Sequence, residues 1–216
     1  MSDHLILITR FPHVGRSKAR FVPALGAQGA ARLQRKLIEN IVDVARGWRA
    51  EHRNRQVHVS CDRASVNEYC DWLGDDLDYS AESGGSLGAR MAVASVRAFT
   101  RGADRVVLVG TDCPDLGEVE VARGFYGLEH ADCVIGPSRH GGYYLVGLAA
   151  PTPALFAGIP WGTGAVLART MAIARQEDLR VGVLPELAAL RGPGDLIHAA
   201  SLLEEYPLSD ALVGNE

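Results

Sequence analysis

The sequence predicts an α/β fold in which a mostly parallel sheet lies between two layers of helices, a three-layer α/β/α sandwich built as a single domain. Three observations support this prediction. Short apolar runs alternate with segments whose apolar residues recur every three or four positions, the order expected of strands joined by helices. The strongest runs lack polar alternation, as do strands buried on both faces. Neither a linker nor a repeat interrupts the chain, so we expect one domain over residues 1–206 and a flexible tail over 207–216.

The apolar runs place six strands. The first is His4–Thr9, and the clearest is Asp104–Gly110, where Val and Leu fill most positions. Such runs are typical of strands inside a parallel sheet. The other strand candidates are, in chain order, Gln56–Cys61, 131–137, Tyr143–Leu148 and 180–184.

Helical periodicity predicts the connecting segments. Between Ala27 and Trp48, the residues Leu33, Leu37 and Ile41 fall on one helical face. Shorter helices are predicted at 65–74, from the glycine-rich stretch to about residue 102, at Glu118–Glu129, at Ala165–Gln176 and at Asp195–Glu205.

The composition narrows the function classes. Apolar residues make up 47% of the 216 residues, and the formal net charge of −4 gives no general affinity for nucleic acid or for an anionic membrane. The four cysteines form no C-x-x-C pair, no signal peptide is apparent, and no apolar run approaches the roughly 20 residues of a membrane span. We therefore expect a reduced, cytoplasmic protein without nucleic-acid or membrane partners.

The stretch "GTDCPDL", from Gly110 to Leu116, follows the clearest strand. Ligands of open α/β sheets bind outside the carboxyl ends of the strands, which is where Asp112 lies. A carboxylate there suits Mg²⁺ or Mn²⁺ held together with substrate phosphates. Asp115 could cap the next helix or accept a substrate hydroxyl. The alternative is that both acids are ordinary turn residues.

A basic loop follows the first strand. Arg16, Lys18 and Arg20 occupy every second position beside Gly15, and Arg10 could add a further charge. Several cations near a glycine turn at a strand end suit a di- or triphosphate. The alternative is a solvated basic loop. The pattern is neither a Walker A motif nor a dinucleotide fingerprint, which disfavours a Rossmann oxidoreductase.

Two further glycine-rich stretches could approach a ligand. In "SGGSLGAR", Gly84, Gly85 and Gly88 precede or open a helix whose N-terminal N–H groups could face an anion. An ordinary helix-entry loop explains them equally well. In "GPSRHGGYYLVGL", the Gly141–Gly142 pair indicates either a close backbone approach or a plain hairpin turn.

Taken together, these stretches give a resemblance that covers the chain from His4 to about Leu196. The sequence resembles the DUF2064 family, also called the rSAM/selenodomain-associated transferase 1 group, of the nucleotide-diphospho-sugar transferase (GT-A) superfamily. The segments "TRFPHVGRSKARF", "LGARM", "GTDCPDL", "GPSRHGGYYL", "IPWGT" and "VLART" carry the likeness. "GTDCPDL" matches the family pattern at every position, whereas in the first of these segments Ala19 and Phe21 replace a Thr and a Leu.

The resemblance implies a GT-A-like nucleotide-binding domain that transfers a nucleotidyl or glycosyl group to an unknown small-molecule acceptor. It implies that Lys18 and Arg20 hold phosphates, that Lys18 and Asp112 are catalytic, and that Asp112 binds Mg²⁺ or Mn²⁺ only together with the nucleotide. The candidate binding residues are Arg10, Gly15, Arg16, Lys18, Arg20, Gly84, Gly85, Gly88, Arg90, Thr111, Asp115, His140, Gly141, Gly142 and Tyr143.

Departures from the family pattern leave a second function open. His140 replaces an Asp, and Gly162 replaces a Ser. Ala189 and Arg191 stand where the family has acids, one of which could give a metal its second protein ligand. Arg191 could replace part of the metal's charge. The alternative to a transferase is therefore a nucleotide-binding protein of the same fold that has lost turnover.

Overall fold

The computed structural model describes residues 1–62, 66–82 and 84–203. Within these ranges a seven-stranded sheet separates two layers of helices, and this confirms the predicted fold class. The strands are β1 (Asp3–Ile8), β2 (Arg55–Cys61), β3 (Asp78–Ala81), β4 (Arg105–Val109), β5 (Cys133–Ser138), β6 (Gly142–Leu148) and β7 (Val181–Val183). The helices are α1 (Val22–Ala50), α2 (Val66–Leu73), α3 (Leu87–Thr100), α4 (Glu118–Gly127), α5 (Val166–Gln176) and α6 (Ala200–Leu203). Three 3₁₀ segments are Ala19–Phe21, Pro153–Phe156 and Pro193–Ala199.

The strand order is β3-β2-β1-β4-β6-β5-β7, which makes β4 the middle strand. β1 pairs in parallel with β2 and with β4, so that Leu5 lies opposite Val57 on one side and Val107 on the other. β6 runs antiparallel to both of its neighbours, and every other pairing is parallel. The carboxyl ends of β1 and β4 therefore lie side by side at one edge of the sheet.

Side chains alternate between two cores because successive strand residues point to opposite faces. On β4, Val107 and Val109 pack with residues of α1, α2 and α4, whereas Val106 and Leu108 pack with residues of α3 and α5. All four valine and leucine side chains are at most 1% exposed. This double burial explains why the strand reads as one continuous apolar run.

Two elements differ from the sequence-based prediction. β3 was not predicted, because its four residues are partly exposed and include Asp78 and Ser80. The predicted helix Asp195–Glu205 is a 3₁₀ segment up to Ala199, since Pro193 and two glycines occupy its start, and an α-helix over Ala200–Leu203. Its last two residues lie outside the described ranges. α1 bends at Gly26 (φ 68°), just before the predicted helix start.

The prediction of one domain over residues 1–206 stays a prediction, and the predicted tail at 207–216 lies outside the described residues. Over the parts of the chain that the structure describes, no helix combines the length and the apolar character that a membrane crossing requires.

Two buried histidines stand side by side on β1 and β2, on the strand surface below α3. His4 Nδ1 and His58 Nε2 lie 3.0 Å apart, His4 Nε2 contacts the Ser2 hydroxyl at 3.1 Å, and His58 Nδ1 lies 3.4 Å from an Asp78 carboxylate oxygen. Burial, and then the neighbouring His4, lowers the pKa of His58 to about 4, and burial also lowers the pKa of His4. The pair is therefore neutral in the folded protein near neutral pH.

We expect the free energy of unfolding to decrease as the pH falls from 6.5 towards 4. The pKa of His58 is lower in the folded chain than the ordinary 6.5, so in this window the unfolded chain binds the proton more tightly and acid favours unfolding. The stabilisation is complete above pH 6.5. The loss should be on the order of 2 kcal/mol between about pH 7 and about pH 5, as measured by urea unfolding.

The variant His58→Gln, which cannot titrate, should flatten this pH dependence. The matched control is His52→Gln, because His52 is exposed and lies outside the pair. Equal slopes in the wild type and in His58→Gln would contradict the assignment.

Candidate functional site

A cleft of about 530 Å³ opens at the carboxyl ends of β1 and β4. Residues at or just after these strands, including Thr9 and Gly110, line it. Among the described residues its charged lining consists of six basic side chains and one carboxylate, namely Arg10, Arg16, Lys18, Arg20, Arg90, Arg191 and Asp112. Such an excess of positive charge in a concave site attracts a polyanion.

Lys18 is held in place by the loop that follows β1. Its backbone adopts the left-handed conformation (φ 49°, ψ 44°), which is strained for a residue with a side chain. Gly15 takes a positive φ of 77° earlier in the same loop, where a glycine allows the chain to turn. The Lys18 side chain is only 8% exposed, and its ammonium lies 2.8 Å from Asp112 Oδ1. The loop thus delivers a nearly buried cation to the cleft.

Asp112 is placed by the end of β4. The Gly110 N–H donates to the Tyr144 carbonyl at 3.1 Å, so the chain stays in the sheet to that point. The Asp112 carbonyl then accepts the Leu190 N–H at 2.8 Å, and its carboxylate accepts the Thr111 hydroxyl at 3.3 Å. The side chain remains 58% exposed. A rigid backbone therefore presents an accessible carboxylate beside Lys18.

The arginines of the cleft differ in their surroundings. Arg90 pairs with the Glu82 carboxylate, whose pKa is raised by burial even though Arg90 opposes the shift. Arg10, Arg16 and Arg20 are exposed and have no ion-pair partner within 4.0 Å among the described residues. These three guanidinium groups are consequently available to an anionic ligand.

The glycine-rich loop contributes less to the cleft than its sequence suggests. Leu87 and Arg90 line the cleft, but Gly84, Gly85 and Gly88 do not. A Cβ on Gly88 would lie 2.4 Å from the Phe156 carbonyl oxygen. It would also lie 2.6 Å from Trp161 Nε1. Gly88 therefore permits close packing inside the protein, and its predicted contact with a ligand stays a prediction.

The residues predicted around the second glycine pair also lie outside the cleft lining. Gly141 (φ 72°) forms the turn of the β5–β6 hairpin, and a Cβ there would lie 2.1 Å from the Gly164 carbonyl oxygen. Tyr143 is packed edge-on against Trp161, with a ring distance of 6.0 Å. His140 contacts Asp195 at 3.3 Å. The pair thus lies in a hairpin turn, with Gly142 opening β6, and the predicted ligand contacts of these residues stay predictions.

Two other predicted site residues differ in whether they line the cleft. Thr111 lines the cleft, whereas Asp115 does not. Asp115 also does not cap the next helix. The N-cap of α4 is Gly117, whose N–H donates to Glu120 at 3.1 Å.

The sequence-based prediction missed two polar residues of the cleft, Thr9 and Gln34. Thr9 is 1% exposed, and its hydroxyl donates to the Ser60 carbonyl or to the Tyr69 hydroxyl, both at 3.1 Å. The Gln34 amide donates to the Arg10 carbonyl at 3.3 Å. The sequence does contain a signal for Gln34, because this polar residue lies at helical spacing from Ala30, Ile38 and Ile41 on the face that the helix buries.

The acidic residues suit a divalent cation only when a ligand completes its coordination. No cluster of three or more His, Cys, Asp or Glu side chains that could hold a metal occurs in the described ranges. Asp112 is the single carboxylate of the cleft lining there, and Lys18 already pairs with it. Mg²⁺ accepts one or two carboxylates when substrate phosphates supply further oxygens. The site therefore fits a metal that arrives with a phosphate ligand.

Comparison with solved structures defines the class of the fold. A Desulfovibrio desulfuricans G20 protein, described provisionally as a nucleotide-diphospho-sugar transferase, superposes with a TM-score of 0.80 at 28% identity over 95% of this chain and 99% of its own. CMP:2-keto-3-deoxy-manno-octonic acid synthetase in complex with CTP gives a TM-score of 0.59 at 11% identity over 96% and 100%. A Mycobacterium tuberculosis H37Rv protein in complex with manganese gives 0.54 at 17% identity over 94% and 97%. The fold is that of the nucleotide-diphospho-sugar transferases and related nucleotidyltransferases.

The family follows from the sequence itself. The DUF2064 family, described as an uncharacterized protein conserved in bacteria, matches residues 48–163, just over half of the chain. The chain belongs to this family. The matched segment includes Asp112, whereas Lys18 and Arg191 lie outside it. The comparison with curated proteins gives no match.

The packing at Gly88 predicts the effect of a single added methyl group. We expect Gly88→Ala to lower the free energy of unfolding by about 2 kcal/mol, because the Cβ would collide with a carbonyl oxygen and an indole ring. Gly84→Ala is the matched control, since nothing lies within 4 Å of a Cβ there. It should change stability by less than about 0.5 kcal/mol. Unchanged stability of Gly88→Ala together with weakened ligand binding would instead favour a ligand contact.

Proposed function

We propose that this protein is a transferase that binds a nucleoside di- or triphosphate, or a nucleotide sugar, in the cleft and transfers a nucleotidyl or glycosyl group to a small-molecule acceptor. One observation carries the proposal: several cations converge beside Asp112 at the carboxyl ends of β1 and β4. The fold class and a structural neighbour solved with CTP support the same assignment. The cleft volume of about 530 Å³ lies within the roughly 300–1,000 Å³ of small-molecule sites.

The phosphates would bind to the basic loop. Lys18 provides a fixed, nearly buried charge, and Arg16 and Arg20 provide planar guanidinium groups that can each contact two phosphate oxygens. Both nucleotidyl and glycosyl transfer leave negative charge on phosphate oxygens. Cations positioned beforehand stabilise this charge as it develops, and this lowers the barrier.

Transfer would be direct, without a covalent enzyme intermediate. Cys113 is the nucleophile nearest to the acidic turn, but it is only 6% exposed, and burial raises the pKa of its thiol to about 12. A thiol with so high a pKa is protonated near neutral pH and is a poor nucleophile. We therefore propose that the acceptor itself attacks the nucleotide.

Asp112 would hold Mg²⁺ or Mn²⁺ only together with the nucleotide. In the ligand-free cleft, Lys18 neutralises this carboxylate, and the surrounding arginines repel a free divalent cation. A bound polyphosphate would compete for Lys18 and supply further oxygen ligands. When bound, the ion would polarise the phosphate oxygens.

A second candidate, a nucleotide-binding protein without turnover, is favoured by one observation. Arg191 lines the cleft at a position where the family resemblance leads one to expect an acid. An incubation separates the two candidates. A nucleotide that binds is mixed with the protein, Mg²⁺ and a panel of phosphorylated or hydroxylated acceptors. Product accumulates only if the protein is a transferase.

We expect the double variant Lys18→Ala/Arg20→Ala to bind its nucleotide at least tenfold more weakly, a difference of about 1.4 kcal/mol or more. The nucleotide is first chosen by thermal shift from a panel of nucleotides and nucleotide sugars, with and without Mg²⁺ or Mn²⁺. Calorimetry then measures the affinity. Lys36→Ala/Arg123→Ala removes the same two residue types from partly exposed positions outside the cleft and should bind like the wild type. Unchanged affinity in a folded Lys18→Ala/Arg20→Ala variant would reject the phosphate role.

Asp112→Asn should abolish binding of Mn²⁺ to the protein–nucleotide complex and leave the fold intact, because Asn keeps one oxygen that can accept from Lys18. Electron paramagnetic resonance of Mn²⁺ measures this binding. The wild type should bind the ion only weakly without nucleotide. Tight binding to the nucleotide-free protein, or equal binding by wild type and Asp112→Asn in the complex, would show that Asp112 is not the metal ligand.

A further inference from the structure

Arg191 is built into the cleft by backbone hydrogen bonds on both sides. The preceding residue, Leu190, donates its N–H to the Asp112 carbonyl at 2.8 Å. The N–H groups of Arg191 and Gly192 both donate to Asp195 Oδ2, at 2.8 and 2.9 Å. These bonds tie the Arg191 backbone to the loop that carries Asp112. The proximity of the two residues is therefore a property of the fold.

Few of the N–H donors of the Arg191 guanidinium have a hydrogen-bond partner among the described residues. Nη1 donates to the His140 carbonyl at 3.2 Å, which orients the group without neutralising it. No carboxylate lies within 4.0 Å of this guanidinium in the described parts of the chain, because Asp195 is engaged by backbone N–H groups and by His140. A charged group with several free donors thus lines the cleft near Asp112.

The charges around Asp112 determine what can bind there. Lys18 and Arg191 both line the cleft, and only one carboxylate of the described lining opposes them. A carboxylate in place of Arg191 would give a divalent cation a second protein ligand beside Asp112. A guanidinium instead repels the cation and binds phosphate oxygens itself. The arrangement can hold a polyphosphate with side-chain cations alone.

We infer that Arg191 is a phosphate-binding residue. Beside Asp112 it supplies the positive charge that a metal ion with two carboxylate ligands would otherwise bring. The cleft therefore binds polyphosphate without a divalent cation. This inference rests on the proposed function, because it concerns the phosphate part of the proposed nucleotide. A metal at Asp112 would add to the affinity and act in the transfer step, but the binding of phosphates would not require it.

The experiment uses inorganic tripolyphosphate as the probe and calorimetry in the presence of EDTA. The wild type should bind the probe, and Arg191→Ala should bind it about tenfold more weakly. Arg191→Lys keeps the charge but not the bidentate hydrogen-bonding geometry, so its affinity for tripolyphosphate should lie between those of the wild type and Arg191→Ala. Arg180→Ala is the matched control, because Arg180 pairs with Asp132 outside the cleft lining and should leave binding unchanged. Thermal unfolding of each variant verifies that it is folded.

A charge reversal gives the sharper readout. Arg191→Asp should lose binding of tripolyphosphate in EDTA and should recover part of it when Mn²⁺ is added, so that Mn²⁺ raises its affinity by a much larger factor than it raises that of the wild type. No binding by the wild type in EDTA, or equal affinities of wild type and folded Arg191→Ala, would overturn the inference. Equal stimulation of wild type and Arg191→Asp by Mn²⁺ would overturn it as well.

The nucleotide panel separates this inference from the proposed function. If no nucleotide binds while tripolyphosphate binding depends on Arg191, the transferase proposal fails and the phosphate-binding role of Arg191 stands. If nucleotides bind and Arg191→Ala binds both nucleotides and tripolyphosphate like the wild type, the transferase proposal stands and the inference fails.

Discussion

The ion pair between Lys18 and Asp112 is the interaction on which the arrangement of the cleft depends. It joins two loops that are 94 residues apart in sequence and that follow neighbouring strands. A nearly buried ammonium is costly unless a charged partner satisfies it, so the carboxylate stabilises the position of the whole basic loop. Under the proposed function, Asp112 is the counter-ion of Lys18 until a phosphate replaces it and leaves the carboxylate available to an ion.

The cleft is electrostatically strained while it is empty. Its arginines repel one another, and the left-handed backbone at Lys18 adds conformational strain. The stability of the packed sheet, whose middle strands are almost completely buried, offsets both costs. An anionic ligand would relieve the repulsion, and the gain would appear as stabilisation of the folded state. The strained loop can therefore keep its conformation because the rigid sheet supports it.

The sequence predicts the parts of the molecule that depend on local pattern. The continuous apolar runs identify β1 and β4, and the rule that ligands bind at the carboxyl ends of strands brings Lys18 and Asp112 to one edge. β3 escapes prediction because four half-exposed residues carry little periodic signal. The surroundings of Gly88 and Tyr143 escape it for another reason. Both pack against Trp161, which is distant in sequence, and no local pattern reveals that contact.

The reversed direction of β6 has a consequence for how the cleft could change. Because β6 alone runs antiparallel, it begins at the cleft edge, and the hairpin turn at 139–141 lies there instead of at the far edge. That turn provides the carbonyl of His140 that orients Arg191. Hairpin turns tolerate changes of length more readily than strands do. Insertions or deletions at this turn could therefore redirect one charge of the cleft while the sheet, the basic loop and Asp112 stay in place.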